Sequence, residues 1–140
     1  MPLNDYAPLS DDDRPLIVSA EKGRRHIGCN VGRDRVTHYR VDGVILCGER
    51  ACDYIVINEK KKTAYLIELK GCRIDKAAEQ LKAAAEALGQ YLRGYELRFR
   101  IVASKSRTSN TPLNSARRII DKWEASGRFR MSTNEMKEDI

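Results

Sequence analysis

Residues 52 to 70 constrain this chain more than any other stretch. In Asp53-Tyr54-Ile55-Val56-Ile57 the side chains alternate, with Asp53, Ile55 and Ile57 on one face and Tyr54 and Val56 on the other. After a lysine-rich turn, residues 64 to 70 alternate again and group Ala64, Leu66, Glu68 and Lys70. A turn centred between Lys60 and Lys61 makes the two runs a β-hairpin and sets Asp53 opposite Glu68. Directly paired residues have Cβ atoms about 4.5–5.5 Å apart. Two acids and a lysine then converge at one end of an otherwise apolar hairpin, where burial is costly unless something compensates it. A divalent cation is one such compensation. An ordinary surface salt bridge between Glu68 and Lys70 is the plainer account, but Leu66, Ile67 and Leu69 mark the strand as largely buried.

The rest of the chain supplies strands and two helices around this hairpin. Residues 1 to 13 read as a flexible or loosely docked arm. Pro15 to Ala20 is an apolar run that fits a strand or the start of a helix, and the glycine-punctuated stretch Glu21 to Asp34 reads as turn-rich. Val36 to Val41 reads as a strand, Asp42-Gly43 as a turn, and Val44 to Cys47 as a second, short strand. Asp75 is placed as the N-cap of a helix running to about Leu92, with Ala77, Leu81, Ala84, Leu88, Tyr91 and Leu92 as its apolar stripe. Tyr95 to Ala103 alternates as a strand with one apolar and one charged face. Pro112 to Ser126 reads as a helix capped by Thr111, with Leu113, Ala116, Ile119, Ile120 and Trp123 inward. Arg128 to Ser132 reads as a final strand, and residues 133 to 140 as a polar, frayed tail. The order implies an α/β fold in one domain spanning 1 to 140: a mixed four- to five-stranded sheet flanked by helices, in which residues 75 to 92 supply a crossover.

The acid at Asp53 followed by Glu68-Leu69-Lys70 on the next strand resembles the motif of the PD-(D/E)xK nuclease superfamily, the restriction-endonuclease-like fold. The resemblance covers roughly residues 36 to 103 and departs from the motif at Cys52, where proline is usual. It implies a Mg²⁺- or Mn²⁺-dependent nuclease that hydrolyses phosphodiester bonds, most readily of DNA. Asp53, Glu68 and the backbone carbonyl of Leu69 would be metal ligands, and Lys70 the fixed charge beside the attacking water. Gln80, on the following helix, would complete the catalytic set. An upstream acid often joins such sites. Glu21, Asp42 and Glu49 are the candidates, Glu21 preferred on the expectation that it lies on an N-terminal helix and Asp42 read as a turn residue. Lys105, Arg107, Arg117 and Arg118 are the expected phosphate contacts. Small standalone members of this kind often act as homodimers.

Composition narrows the partners. Lys and Arg outnumber Asp and Glu by 26 to 20, giving a net charge of +6, and a basic surplus favours polyanions, nucleic acid first. With 41% hydrophobic and 33% charged residues, the chain reads as globular and not disordered. No secretion signal or membrane span is evident, so a cytoplasmic protein is expected. The four cysteines, Cys29, Cys47, Cys52 and Cys72, form no metal-binding pair and are expected as free thiols. Two other functions are compatible with the same fold: a catalytically inactive nucleic-acid-binding module, and a regulatory protein-interaction module.

Overall fold

The computed structural model describes residues 3–48, 50–70, 73–104 and 114–140. The strands are β1 (Ser10–Asp12), β2 (Leu16–Glu21), β3 (Arg24–Cys29), β4 (Val36–Arg40), β5 (Tyr54–Asn58), β6 (Thr63–Lys70), β7 (Glu96–Ala103), β8 (Phe129–Thr133) and β9 (Glu135–Asp139). The helices are α1 (Ile74–Leu88), between β6 and β7, and α2 (Asn114–Ala125), between β7 and β8. One mixed sheet has six strands in the order β1-β4-β5-β6-β7-β8, and a second has three in the order β2-β3-β9. Among the described residues the fold is therefore α/β with two sheets and two helices.

The hairpin at the centre has the expected register. Tyr54 pairs with Ile67, Ile55 with Leu66 and Asn58 with Thr63. Its turn is organised by Asn58, whose Oδ1 accepts the amides of Lys60 and Lys61 at 3.1 and 3.0 Å. The turn lysines are drawn back onto the protein: Lys61 Nζ donates to the carbonyl of Ile140 at 3.0 Å, and Lys62 Nζ lies 5.0 Å from the Tyr95 ring centroid.

Parallel strands need crossovers. α1 joins β6 to β7 and α2 joins β7 to β8, and the two helices pack on each other and on the sheet. The three-stranded sheet touches β6 and β7, which explains why the hairpin is apolar on both sides. Ile55, Ile57, Ala64 and Leu66 join the core with Ala77, Leu81, Ala84 and Leu88 of α1. Tyr54, Val56, Tyr65, Ile67 and Leu69 join a second core with Ile17, Met136 and Ile140 of the small sheet.

Several expectations are corrected. Residues 3 to 13 are docked, not an arm: Leu3 is buried and β1 pairs with β4. The stretch read as turn-rich is β3, reached from β2 through Lys22 and Gly23, both at positive φ (48° and 82°), as a two-residue hairpin turn requires. Glu21 thus ends a strand and not a helix. Val44 to Cys47 is a turn, with only an isolated bridge between Asp42 and Leu46. Arg73, not Asp75, occupies the N-cap of α1. Asp75 lies in the first turn, held by Arg73 at 3.0 and 2.7 Å, where a negative charge suits the helix dipole. The helix ends at Leu88, with Gly89 still in right-handed helical conformation at its C-cap, and Tyr91 is exposed and Leu92 buried beyond it. Thr111, Pro112 and Leu113 lie outside the described residues.

The largest correction concerns the supposed tail. β9 runs parallel to β3 and buries Met136 and Ile140. Its alternation was hidden because the inward residue between them is Glu138. Met136→Ala is expected to cost about 2–5 kcal/mol, the usual range for truncating a buried methionine. Urea denaturation would show it, and a cost below about 0.5 kcal/mol, the level of an exposed position, would contradict this packing.

Candidate active site

Five strands, or the residues at their ends, and a helix contribute to one cleft of about 400 Å³. Glu21 closes β2, Lys22 belongs to the turn, and Arg24 opens β3. Asp42 follows β4, Asp53 immediately precedes β5, Glu68 and Leu69 lie on β6, and Gln80 faces in from α1. Four carboxylates thus share a small volume with two cations.

Asp53 is anchored: its Oδ2 accepts the Leu69 amide at 2.8 Å, and its own amide donates to the Ile67 carbonyl at 3.1 Å. Burial, the largest influence, raises its pKa above the ordinary carboxylate value. The Leu69 amide opposes this, the carboxylates of Glu21 and Asp42 add to it, and Arg40 opposes. Glu68 is buried, at 2% exposure. Beside them Cys52 is wholly buried, and burial together with Glu68 and Asp53 pushes its thiol well above its usual pKa, so this cysteine is inert. Cys29, Cys47 and Cys52 are all free thiols.

Arg40 ties the rim together. Its guanidinium lies 3.6 Å from Glu21, donates to the Asp42 carbonyl at 3.3 Å and to the Tyr54 hydroxyl at 3.2 Å, and Tyr54 in turn donates to the Ala20 carbonyl. Tyr54 and Tyr39 are packed in the cores. Arg24 reaches in from the small sheet, donating through Nε to the Leu69 carbonyl at 3.2 Å and through Nη1 to Ser104 Oγ at 3.0 Å.

The donor set fits a hard cation of the Mg²⁺ or Mn²⁺ class. Among the described residues the lining offers carboxylate and amide oxygens with no thiol or imidazole. Two of these oxygens, Glu21 Oε2 and Gln80 Oε1, are buried with no hydrogen-bond partner among the described residues. The set is not gathered, however. Among the described residues no three His, Cys, Asp or Glu side chains stand close enough together to hold a metal ion. Asp53 Oδ2 accepts the Leu69 amide, and the Leu69 carbonyl accepts from Arg24.

Of the residues singled out from the sequence, Asp53, Glu68, Leu69, Gln80, Glu21 and Asp42 line the one cleft. Lys70 ends β6 with its backbone opposite Ala103, and its side chain lies outside what is described. Glu49, Lys105 and Arg107 also lie outside the described residues. Arg117 and Arg118 are exposed on α2, and neither lines the acid cleft. Lys22 and Arg24 were missed because a strand beginning Arg24-Arg25-His26 looks like a basic loop. The local signal in the sequence was the Lys22-Gly23 pair, since the strands on either side alternate in burial but not in hydrophobicity.

Comparison with protein-family models, with curated proteins and with solved structures gives no match for this chain. Among the described residues no helix is long and apolar enough to cross a membrane.

Proposed function

We propose that this chain is a divalent-metal-dependent phosphodiesterase acting on nucleic acid, most readily DNA, built on a restriction-endonuclease-like core. The single observation that carries this reading is that Asp53, just before the paired part of the hairpin, and Glu68 of β6 line one polar cleft. The antiparallel hairpin followed by a helical crossover to a parallel strand supports the core assignment.

Asp53 and Glu68 would hold the cation, with Glu21 as the accessory acid and the Leu69 carbonyl as a further oxygen once Arg24 leaves it. A bound Mg²⁺ or Mn²⁺ supplies Lewis acidity toward a phosphate oxygen and makes water nucleophilic near neutral pH. Gln80 Oε1, buried without a partner among the described residues, would accept a hydrogen bond from the attacking water and orient it. Lys22 and Arg24 draw the phosphodiester in against the field of the acids. Lys70 is assigned the fixed positive charge that offsets the charge developing on phosphorus.

The test is cleavage of supercoiled plasmid, linear duplex and single-stranded oligonucleotides with Mg²⁺ or Mn²⁺. EDTA is expected to abolish cleavage and Lys70→Ala to lower it by roughly 10²–10³-fold, the usual cost of removing one charge-stabilising donor. Cleavage that survives both treatments would sink the reading. Binding without cleavage, equal in the parent and Lys70→Ala, would make the chain a non-catalytic nucleic-acid binder. The closed contact between Arg24 and the Leu69 carbonyl is what favours that second reading.

A further inference from the structure

A second cavity lies between the helices. Lys82 and Glu86 of α1 and Arg118 and Lys122 of α2 stand on its walls, Phe99 and Trp123 line it as well, and its volume is about 420 Å³. Phe99 is buried and stacks on Trp123 with centroids 3.8 Å apart and planes 9° apart, Phe129 lies 6.1 Å from the same indole, and Trp123 remains partly exposed as the aromatic part of the groove open to a ligand.

This groove is joined to the acid cleft along the outer flank of α1. Gln80 lines both the cleft and a hollow formed with Arg50, Lys76 and Glu79. Arg50 and Glu79 line the next hollow together with Lys82 and Glu86, which belong to the interhelical groove. Along the track Glu79 is paired with Arg50 at 3.1 Å and Glu86 with Lys82 at 3.9 Å. Lys76, Arg118 and Lys122 have no ion-pair partner within 4.0 Å among the described residues. The track is therefore cationic overall.

We propose that the interhelical groove holds unpaired nucleotides of a single-stranded nucleic acid whose backbone runs along α1 into the acid cleft. The proposal rests on the reading of that cleft as the phosphodiesterase site and names its substrate class. The cleft repels phosphate through four carboxylates, so a strand must be held from outside it. A cationic track ending in an aromatic surface is how single strands are held without sequence readout: phosphates on Lys and Arg, base faces on aromatic rings. A duplex keeps its base faces stacked inside and cannot offer one to Trp123.

Trp123 is the only tryptophan of the chain, so its emission reports on this groove. The experiment titrates the full chain, in EDTA to prevent cleavage, with a short single-stranded DNA oligonucleotide and with the same strand annealed to its complement. Fluorescence anisotropy of labelled DNA measures binding in parallel. Saturable quenching of Trp123 by the single strand is expected, with the duplex at least about tenfold weaker, the worth of one stacked base. The double variant Arg118→Ala with Lys122→Ala, both at the surface, is expected to bind about tenfold more weakly and to flatten the salt dependence by roughly 1.4 logarithmic slope units, two phosphate contacts on a single strand. Anisotropy binding with no change in Trp123 emission, equal affinity for the duplex, or no binding at all would each overturn the proposal. Quenching as expected, followed by no cleavage when Mg²⁺ is added, supports the groove and removes the phosphodiesterase reading alone. Cleavage without quenching does the reverse.

Discussion

Asp53→Asn is expected to abolish nucleic-acid cleavage while leaving the protein at least as stable as its parent. The two halves of this expectation have one cause. Asp53 is held in a half-buried cleft with three other carboxylates, and burial, with Glu21 and Asp42, raises its pKa. A carboxyl whose folded pKa lies above its unfolded value is protonated more readily in the native state. Its charge therefore destabilises the fold at neutral pH, and that penalty is lifted as pH falls through the folded pKa. Asparagine removes the charge and keeps an oxygen for the Leu69 amide, now 2.8 Å from Asp53 Oδ2. Activity should fall by more than roughly 100-fold, since even residues that only orient metal ligands cost 10–100-fold. Thermal melts and cleavage assays on the same preparation decide the matter. A variant that melts clearly lower and keeps its activity would make Asp53 a structural residue. Strain of this kind, retained at a cost to stability, is what a functional site shows.

Glu138→Ala is expected to be the most destabilising single change outside the hydrophobic cores. Glu138 is enclosed between the sheets. His26 Nε2 lies 2.8 Å from its Oε2, Arg100 Nε lies 2.7 Å from the same oxygen, and Arg100 Nη2 lies 3.1 Å from Oε1. A carboxylate only accepts, so the His26 Nε2 carries the proton. Arg100 and His26 are themselves buried, at 3% and 0% exposure. Burial works against the Glu138 charge, but His26 and Arg100 together outweigh it and hold the pKa down to about 2. Truncation would strand a buried guanidinium and a buried imidazole, at about 3–5 kcal/mol. That is a large part of the stability of a domain this size, about 5–15 kcal/mol. The pH dependence has a definite sign. The folded pKa of about 2 lies below the ordinary 4.5, so the stabilisation is complete above pH 4.5 and disappears as pH falls through 2. Urea midpoints should differ widely between parent and variant at pH 7 and converge toward pH 2. A gap of the same size at both pH values would contradict this account.

Glu138 also shows where the sequence stopped being readable. Residues 133 to 140 contain four charged side chains among eight, and nothing local distinguishes a buried Glu138 from a solvated one. Its partners lie on β3 and β7, far away in sequence, and only the packing of two sheets brings them together. The same applies to the charged face of β7: Arg98 and Arg100 face the small sheet and pack over Tyr65, with Arg100 5.3 Å from its ring centroid. The small sheet as a whole was missed because two of its strands carry outward charges and one begins beside a basic turn.

What the sequence by itself determined was local and periodic. Alternation over 53–57 and 64–70 and the position of the lysine turn specify the hairpin, because a one-residue slip would turn every apolar side chain to the wrong face. That register already brings the ends carrying Asp53 and Glu68 together, and the 3.6-residue stripe of α1 already provides the crossover that follows. The tertiary structure alone decided what surrounds those two acids. Glu21, Lys22 and Arg24 arrive from a second sheet, Asp42 from a turn, and Gln80 from the flank of α1, and no spacing in the chain relates them. The difference is physical. Pairing between neighbouring strands is set by side-chain period and turn length, both written in consecutive residues. The meeting of sheet ends depends on how two cores close over the same hairpin, and that is a property of the whole molecule's packing.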